Sequence, residues 1–208
     1  MDNDDLRLMN EAIELAKQCS PLLEAIPRVG AVIAIKAKVI GSGRRGNGSP
    51  DDNEHAEWHA LERVKDKTRL TKATLYTTLE PCTGEVRMRP LESCTELILQ
   101  HEIKRVVIGM LDPNQGVTGK GLWRLQDTGV DVSLFPHDLA REVRALNAAF
   151  IRFQHTLGAE IISPKNGDEL AGTGVHSIRL RCANPPTDHH FLLCLRTGCA
   201  GRRVQYSA

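Results

Sequence analysis

Ala73-Thr-Leu-Tyr-Thr-Thr-Leu-Glu-Pro-Cys82 is the stretch from which the fold can be read. Its first seven residues are rich in β-branched and aromatic side chains, which favours a strand. The run then stops at a proline, and a cysteine follows at once. Working outward, Val29-Gly-Ala-Val-Ile-Ala-Ile35 and Lys38-Val-Ile-Gly41 are β-branched runs joined by a tight turn and predict an antiparallel hairpin. Arg105-Val-Val-Ile-Gly-Met110 predicts a buried strand, and Val130 to Leu134 another.

Helices are expected between these strands. Leu6, Met9, Ile13 and Ala16 recur at helical spacing behind a capping Asp2 or Asn3, and Ser20-Pro21 stops that helix after Cys19. Further helices are expected at His55 to Val64, Leu91 to His101, Gly121 to Thr128, and as one long element from Asp138 to Gln154. Gly41 to Asn53 holds four glycines and a proline and reads as irregular. Strand and helix alternate repeatedly, which predicts an α/β fold with helices on both faces of a central sheet.

Composition changes near Leu157-Gly158. Residues 158–208 carry three prolines, six glycines and three cysteines, with short β-prone runs at 160–163, 175–181 and 191–195. The expected organisation is therefore an α/β domain over 1–157 and a small β-rich appendage over 158–208.

The 208 residues include 27 basic and 26 acidic side chains, the balance of a soluble globular protein. No apolar stretch approaches the roughly 20 residues needed to cross a bilayer, so neither a membrane span nor a secretory leader is expected. Residues 1–157 carry 21 basic against 22 acidic groups, which disfavours nucleic acid as a partner. A small molecule is the default partner. The six cysteines (19, 82, 94, 182, 194 and 199) are too few for a disulfide scaffold and, with no export signal expected, reduced thiols and a cytoplasmic location are the expectation. Metal ligation is the better first reading.

The chemistry-bearing residues are His55-Ala-Glu57, Cys82 and Cys94. One imidazole and two thiolates make a soft donor set suited to Zn²⁺, and three protein ligands leave the fourth tetrahedral position open, the layout of a catalytic zinc. Such chemistry needs a group that accepts and redelivers protons, and Glu57 fits that role. A helical turn starting at Cys82 would present free N–H groups favouring its thiolate. A rival reading pairs His55 with His59 at i and i+4, as in His-Glu-x-x-His proteases. There the glutamate follows the first histidine directly, whereas here it lies two residues on, and both cysteines would go unused. His189, His190, Cys182, Cys194 and Cys199 lack the tight spacing of a second metal site.

His-Ala-Glu, then Thr-Leu-Glu-Pro-Cys, then a later cysteine resemble the zinc-dependent cytidine deaminase superfamily. Val29-Gly-Ala-Val-Ile33, Thr78-Leu-Glu-Pro-Cys82, Asp112-Pro-Asn114 and Thr118-Gly-Lys-Gly-Leu122 are similar to the deaminase domain of riboflavin biosynthesis proteins, over about residues 4–155. The resemblance implies a three-layer α/β/α cytidine deaminase-like fold, zinc on His55, Cys82 and Cys94, and Glu57 as general acid and base. Asn114 would then lie at the sheet edge lining the pocket.

Departures from the family pattern concern substrate recognition. Eleven residues separate Cys82 from Cys94, without the histidine and double proline usual there. The family's Pro-Asn-Pro is replaced by Ala25-Ile26-Pro27. Arg87 and Arg89 in the long loop are candidate contacts for an anionic substrate group. The family's reductase domain is not expected in the 51 residues after Leu157, which show no Gly-rich phosphate loop.

The expectation is a zinc-dependent hydrolytic deaminase of an amino-substituted pyrimidine or related heterocycle, nucleoside or nucleotide, acting as a homodimer. The alternatives are a nucleic-acid base deaminase and an inactive zinc-stabilised binding protein. Glu57 argues against the latter, because a purely structural zinc needs no such carboxylate.

Overall fold

Five strands form the central sheet: β1 (Gly30–Ile35), β2 (Lys38–Arg44), β3 (Thr74–Leu79), β4 (Arg105–Met110) and β5 (Asp131–Leu134). Their order is β2-β1-β3-β4-β5. β1 runs antiparallel to β2 and β3, while β3, β4 and β5 are mutually parallel. The description is of a computed structural model and covers residues 3–19, 26–46, 54–84 and 92–156, together with the strands 175–180 and 191–196. β1, β3 and β4 are buried almost throughout, as near-continuous apolar strands covered on both faces should be.

Among the described residues six α-helices accompany the strands: α1 (Asn3–Lys17), α2 (Ala56–Glu62), α3 (Cys94–Gln100), α4 (Lys120–Asp127), α5 (His137–Leu146) and α6 (Ala148–Thr156). α1 packs on β1 and β3 and touches α5; α2 packs on β1 and β2, and α3 joins it to α4. Glycines show which face each helix covers. A Cβ on Gly30 would lie 2.1 Å from the Ala12 carbonyl oxygen of α1. A Cβ on Gly41 or Gly43 would lie 2.3 Å from Ala60 O or 2.5 Å from Ala56 O, both in α2. Gly41 and Gly43 sit opposite Ile33 and Ala31 in the antiparallel ladder and share their face, whereas Gly30, one residue earlier, points the other way. α1 and α2 therefore cover opposite faces, giving the expected three layers.

These glycines also correct the expectation for Gly41 to Asn53. The strand continues through Arg44, because Gly41 and Gly43 serve close helix packing and not a loop. Residues 47–53 lie outside the described residues. The expected helix 138–154 likewise divides, into α5 and α6, at the buried Asn147. Its side-chain oxygen accepts from Arg28 N at 2.8 Å and its amide donates to Arg28 O at 3.1 Å. The side chain thus brackets the segment before β1 at the break, while Asn147 N still donates to Val143 O at 3.1 Å and Ile151 N to Asn147 O at 2.9 Å. A short 3₁₀ helix, Lys67–Lys72, capped by Asp66, leads into β3 without having shown a clear period in the sequence.

Leu8, Met9, Ile13, Ile33, Leu75, Ile98, Ile108 and Leu125 form the fully buried core on both sides of the sheet. On the α1 face, Arg105 grips Asp5 through two 2.8 Å bonds, and the Tyr76 hydroxyl donates to the same carboxylate. Asp5 is held at about 2 by the Arg105 guanidinium, against burial, with Tyr76 assisting.

The chain divides into two compact units, Met1–Ile151 and Arg152–Ala208. In the second, β6 (Val175–Leu180) and β7 (Phe191–Arg196) pair antiparallel, Val175 opposite Arg196 and Leu180 opposite Phe191. Residues 160–163, Cys182, His189, His190 and Cys199 lie outside the described residues. No described helix is long and apolar enough to cross a membrane.

Candidate active site

The site gathers where α2, α3 and the end of β3 converge. His55 stands just before α2 with extended backbone, which places Glu57 in the helix's first turn. β3 ends at Leu79 and hands Pro81-Cys82 to the same place. Cys94 opens α3, whose start is fixed by Ser93 Oγ accepting from Glu96 N at 3.2 Å. The helical N-terminus expected at Cys82 is found at Cys94, since residues 81–83 are irregular. Two bonds hold the segments together: Thr95 N donates to Cys82 O at 3.1 Å, and Thr95 Oγ1 donates to Pro81 O at 3.2 Å.

His55 Nδ1 lies 3.5 Å from Cys82 Sγ and 3.3 Å from Cys94 Sγ, and the three donor atoms all lie within 4.8 Å of one another. A tetrahedral zinc with ordinary Zn–N and Zn–S bonds sets its N and S donors roughly 3.6 Å apart. The spacing and the donor chemistry both fit that metal. Both cysteines are buried, and the neighbouring Cys94 thiol and His55 ring hold Cys82 down at about 3 despite burial.

Glu57 is 3% exposed. Its Oε1 accepts from the Thr77 hydroxyl at 2.9 Å, and its Oε2 faces Cys94 Sγ at 3.5 Å. Burial pushes this carboxyl above the usual range, with His55 opposing. A buried carboxyl inclined to hold a proton, beside a soft metal-ligand set, is equipped to take up and return protons.

Glu80 organises the opposite wall. This buried side chain accepts four backbone N–H bonds: from Asp112 and Gly119 on Oε2, at 3.2 and 2.9 Å, and from Gly121 and Leu122 on Oε1, at 3.0 and 3.2 Å. It thereby caps α4 and ties the loop after β4 to the end of β3. Gly121 allows the approach, since a Cβ there would lie 2.1 Å from Pro81 O. Sequence reading passed over Glu80. The available signal was an acid ending an apolar strand, together with a later Gly-x-Gly.

A pocket opens on the cluster and is lined by Val29, Arg45, His55, Glu57, Glu80 and Asp112 among others. Asp112 is raised to about 6 by burial, with Glu80 and Cys82 adding to the effect. Asn114 is engaged in its own turn: its Oδ1 accepts from Gly116 N at 2.9 Å, and its N–H donates to Asp112 Oδ1 at 2.8 Å. Asp112 is the residue of this loop that lines the pocket. Arg87 and Arg89 lie outside the described residues, and Arg45 is the arginine that the pocket presents. His59 is buried in α2, its ring edge-on to Trp58, and does not join the donor cluster.

Residues 2–110 match the cytidine and deoxycytidylate deaminase zinc-binding region. The chain belongs to this family. It is 38% identical over 150 residues to the riboflavin biosynthesis protein RibD of Aquifex aeolicus (strain VF5), covering 72% of this chain and 39% of that protein. It is 33% identical over 148 residues to the diaminohydroxyphosphoribosylamino-pyrimidine deaminase of Buchnera aphidicola subsp. Schizaphis graminum (strain Sg), covering 71% of this chain and 94% of that one. The structure of Acinetobacter baumannii RibD (form 2) matches with a TM-score of 0.62 at 31% identity, over 74% of this chain and 40% of that one. The chain spans less than half the length of these RibD proteins. The deaminase fold and the zinc-type donor set are thus both accounted for by the family.

Proposed function

We propose that this chain is a hydrolytic deaminase of an amino-substituted pyrimidine, with zinc held by His55, Cys82 and Cys94 and protons carried by Glu57. The observation that carries the reading is the placement of Glu57: buried, one oxygen on Thr77 and the other toward the ligand cluster, at the floor of an open pocket. Bound by these ligands, zinc supplies the Lewis acidity that makes water a nucleophile near neutral pH.

Glu57 takes the proton released as water adds to the ring carbon bearing the amine. It delivers that proton to the adjacent ring nitrogen, then assists transfer to the departing amine, so that water is consumed and ammonia leaves. The walls built by Glu80 and Asp112 orient the ring, and Arg45 meets an anionic substituent where the substrate carries one. Arg87 and Arg89 belong to the same recognition role, on the loop between the two cysteines.

The diaminopyrimidine named for the Buchnera relative is the first member of the substrate class to try. We assign the activity to residues 1–157, which hold every residue named above, and treat 158–208 as an appendage. A cytoplasmic homodimer fits the reduced thiols that the site requires, and Trp123, 67% exposed on α4, supplies apolar surface for a second copy. The test is ammonia release from zinc-loaded protein across aminopyrimidines, their nucleosides and nucleotides, and a single-stranded oligonucleotide. Release from a small aminopyrimidine is expected. Release from the oligonucleotide alone would move the reading to a nucleic-acid deaminase, and release from none would leave a zinc-stabilised binding protein.

A further inference from the structure

We infer that the Thr77 hydroxyl is a positioning residue for Glu57, an inference that rests on the deaminase reading above. Thr77 lies in the middle of β3, between β1, where it faces Ala31, and β4, where it faces Ile108. A strand flanked on both sides moves little, and a β-branched side chain has few χ1 choices. The hydroxyl is fully buried and reaches Glu57 Oε1 at 2.9 Å across 20 residues of sequence.

Glu57 needs such a partner. The last torsion of a glutamate is broad and roughly two-fold, so packing alone leaves the carboxyl plane free to turn. The bond from Thr77 restrains Oε1 alongside the carboxyl's bond from its own backbone N–H and leaves Oε2 directed toward the ligand cluster, 3.5 Å from Cys94 Sγ. The two oxygens thus have separate tasks, one for anchorage and one for chemistry.

The geometry suits a group that hands protons on. A threonine hydroxyl has one hydrogen and two lone pairs. Because Oε2 is the oxygen that handles the proton, Oε1 remains an acceptor throughout and the hydroxyl goes on donating to it, with Leu79 O, 3.1 Å away, as the other acceptor within its reach. The anchor therefore holds the same heavy atoms together throughout a catalytic cycle.

The test compares Thr77→Val, which keeps the shape and removes the hydroxyl, with Thr77→Ser, which keeps the hydroxyl. Misplacing a reacting group by about an ångström costs up to ~10²-fold in rate. Thr77→Val is expected to lower kcat by ~10- to 100-fold with KM within about twofold and zinc content unchanged, and Thr77→Ser to restore kcat to within about threefold. Crystal structures of the zinc-loaded variants give a readout independent of turnover: the Glu57 carboxyl plane is expected to rotate in Thr77→Val and to keep its place in Thr77→Ser. An unrotated carboxyl in Thr77→Val, or turnover like that of the parent, overturns the inference and leaves the deaminase reading standing. A parent protein that releases no ammonia from any aminopyrimidine overturns both.

Discussion

Tyr76 and Thr77 are neighbours on β3 and point to opposite faces of the sheet, and each hydroxyl donates to a buried acid from a different helix. Tyr76 meets Asp5 of α1, and Thr77 meets Glu57 of α2. The two acids are then treated in opposite ways. Asp5 also receives a two-pronged guanidinium from Arg105, and its carboxyl is held at about 2. Glu57 receives a neutral hydroxyl and a thiol, and burial raises it. Neutralising a buried charge fixes its protonation state and ties elements together, whereas leaving it un-neutralised beside a metal-ligand cluster keeps it able to exchange a proton. One strand thus meets a charge-paired acid from α1 on one face and, from α2 on the other, the acid proposed to carry protons.

This contrast breaks most sharply at the metal. Cys94→Ser should reduce zinc to near zero by elemental analysis and abolish turnover, because a hydroxyl is a poor replacement for a buried thiolate. Full zinc occupancy in that variant would remove Cys94 from the ligand set and leave Glu57 facing something else.

A smaller effect is expected on the other face. Asp5→Asn should lower the unfolding free energy by on the order of 2 kcal/mol while leaving zinc content and kcat unchanged. The sign with pH follows from the depressed carboxyl. Folding holds Asp5 at about 2 against an ordinary 3.8, so its stabilisation is complete above pH ~4 and is lost as pH falls toward ~2. Denaturant titrations between pH 6 and pH 2 should show the parent losing this increment and Asp5→Asn lacking that part of the slope. A loss of activity in Asp5→Asn at neutral pH would blur the division of labour between the two faces.

The contrast itself was only half visible in the sequence. His55, Glu57, Cys82 and Cys94 were legible because their residue types have few other uses in that combination, and β3 was legible because its β-formers run unbroken into Pro81. Thr77 was hidden by the same rule, since a threonine within a strand reads as a strand former and its partner lies 20 residues away. Asp5 looked like a helix-start acid and gave no sign of Arg105, a hundred residues on. Gly41 and Gly43 read as loop formers because nothing local reveals that α2 lies within van der Waals contact. The interruption at Asn147 was hidden because Ala140, Val143 and Phe150 continue an apolar pattern across it, while the partner of the Asn147 side chain, Arg28, is 119 residues distant. Asn114 attracted notice by resemblance, and Asp112, two residues earlier, lines the pocket. Local pattern specified elements and ligand types; the pairing of buried polar groups is a property of the assembled sheet.

Whether Glu57 carries the protons is decided by Glu57→Gln. Zinc content, denaturant stability and ammonia release should be measured on the same preparation, with the substrate on which the parent is most active. The expected result is zinc near one per chain, stability equal to the parent's or higher because the buried Glu57 carboxyl is gone, and turnover lower by at least ~10²- to 10⁴-fold. A folded, zinc-replete Glu57→Gln protein that releases ammonia at close to the parent rate would contradict the claim and assign proton transfer to another group.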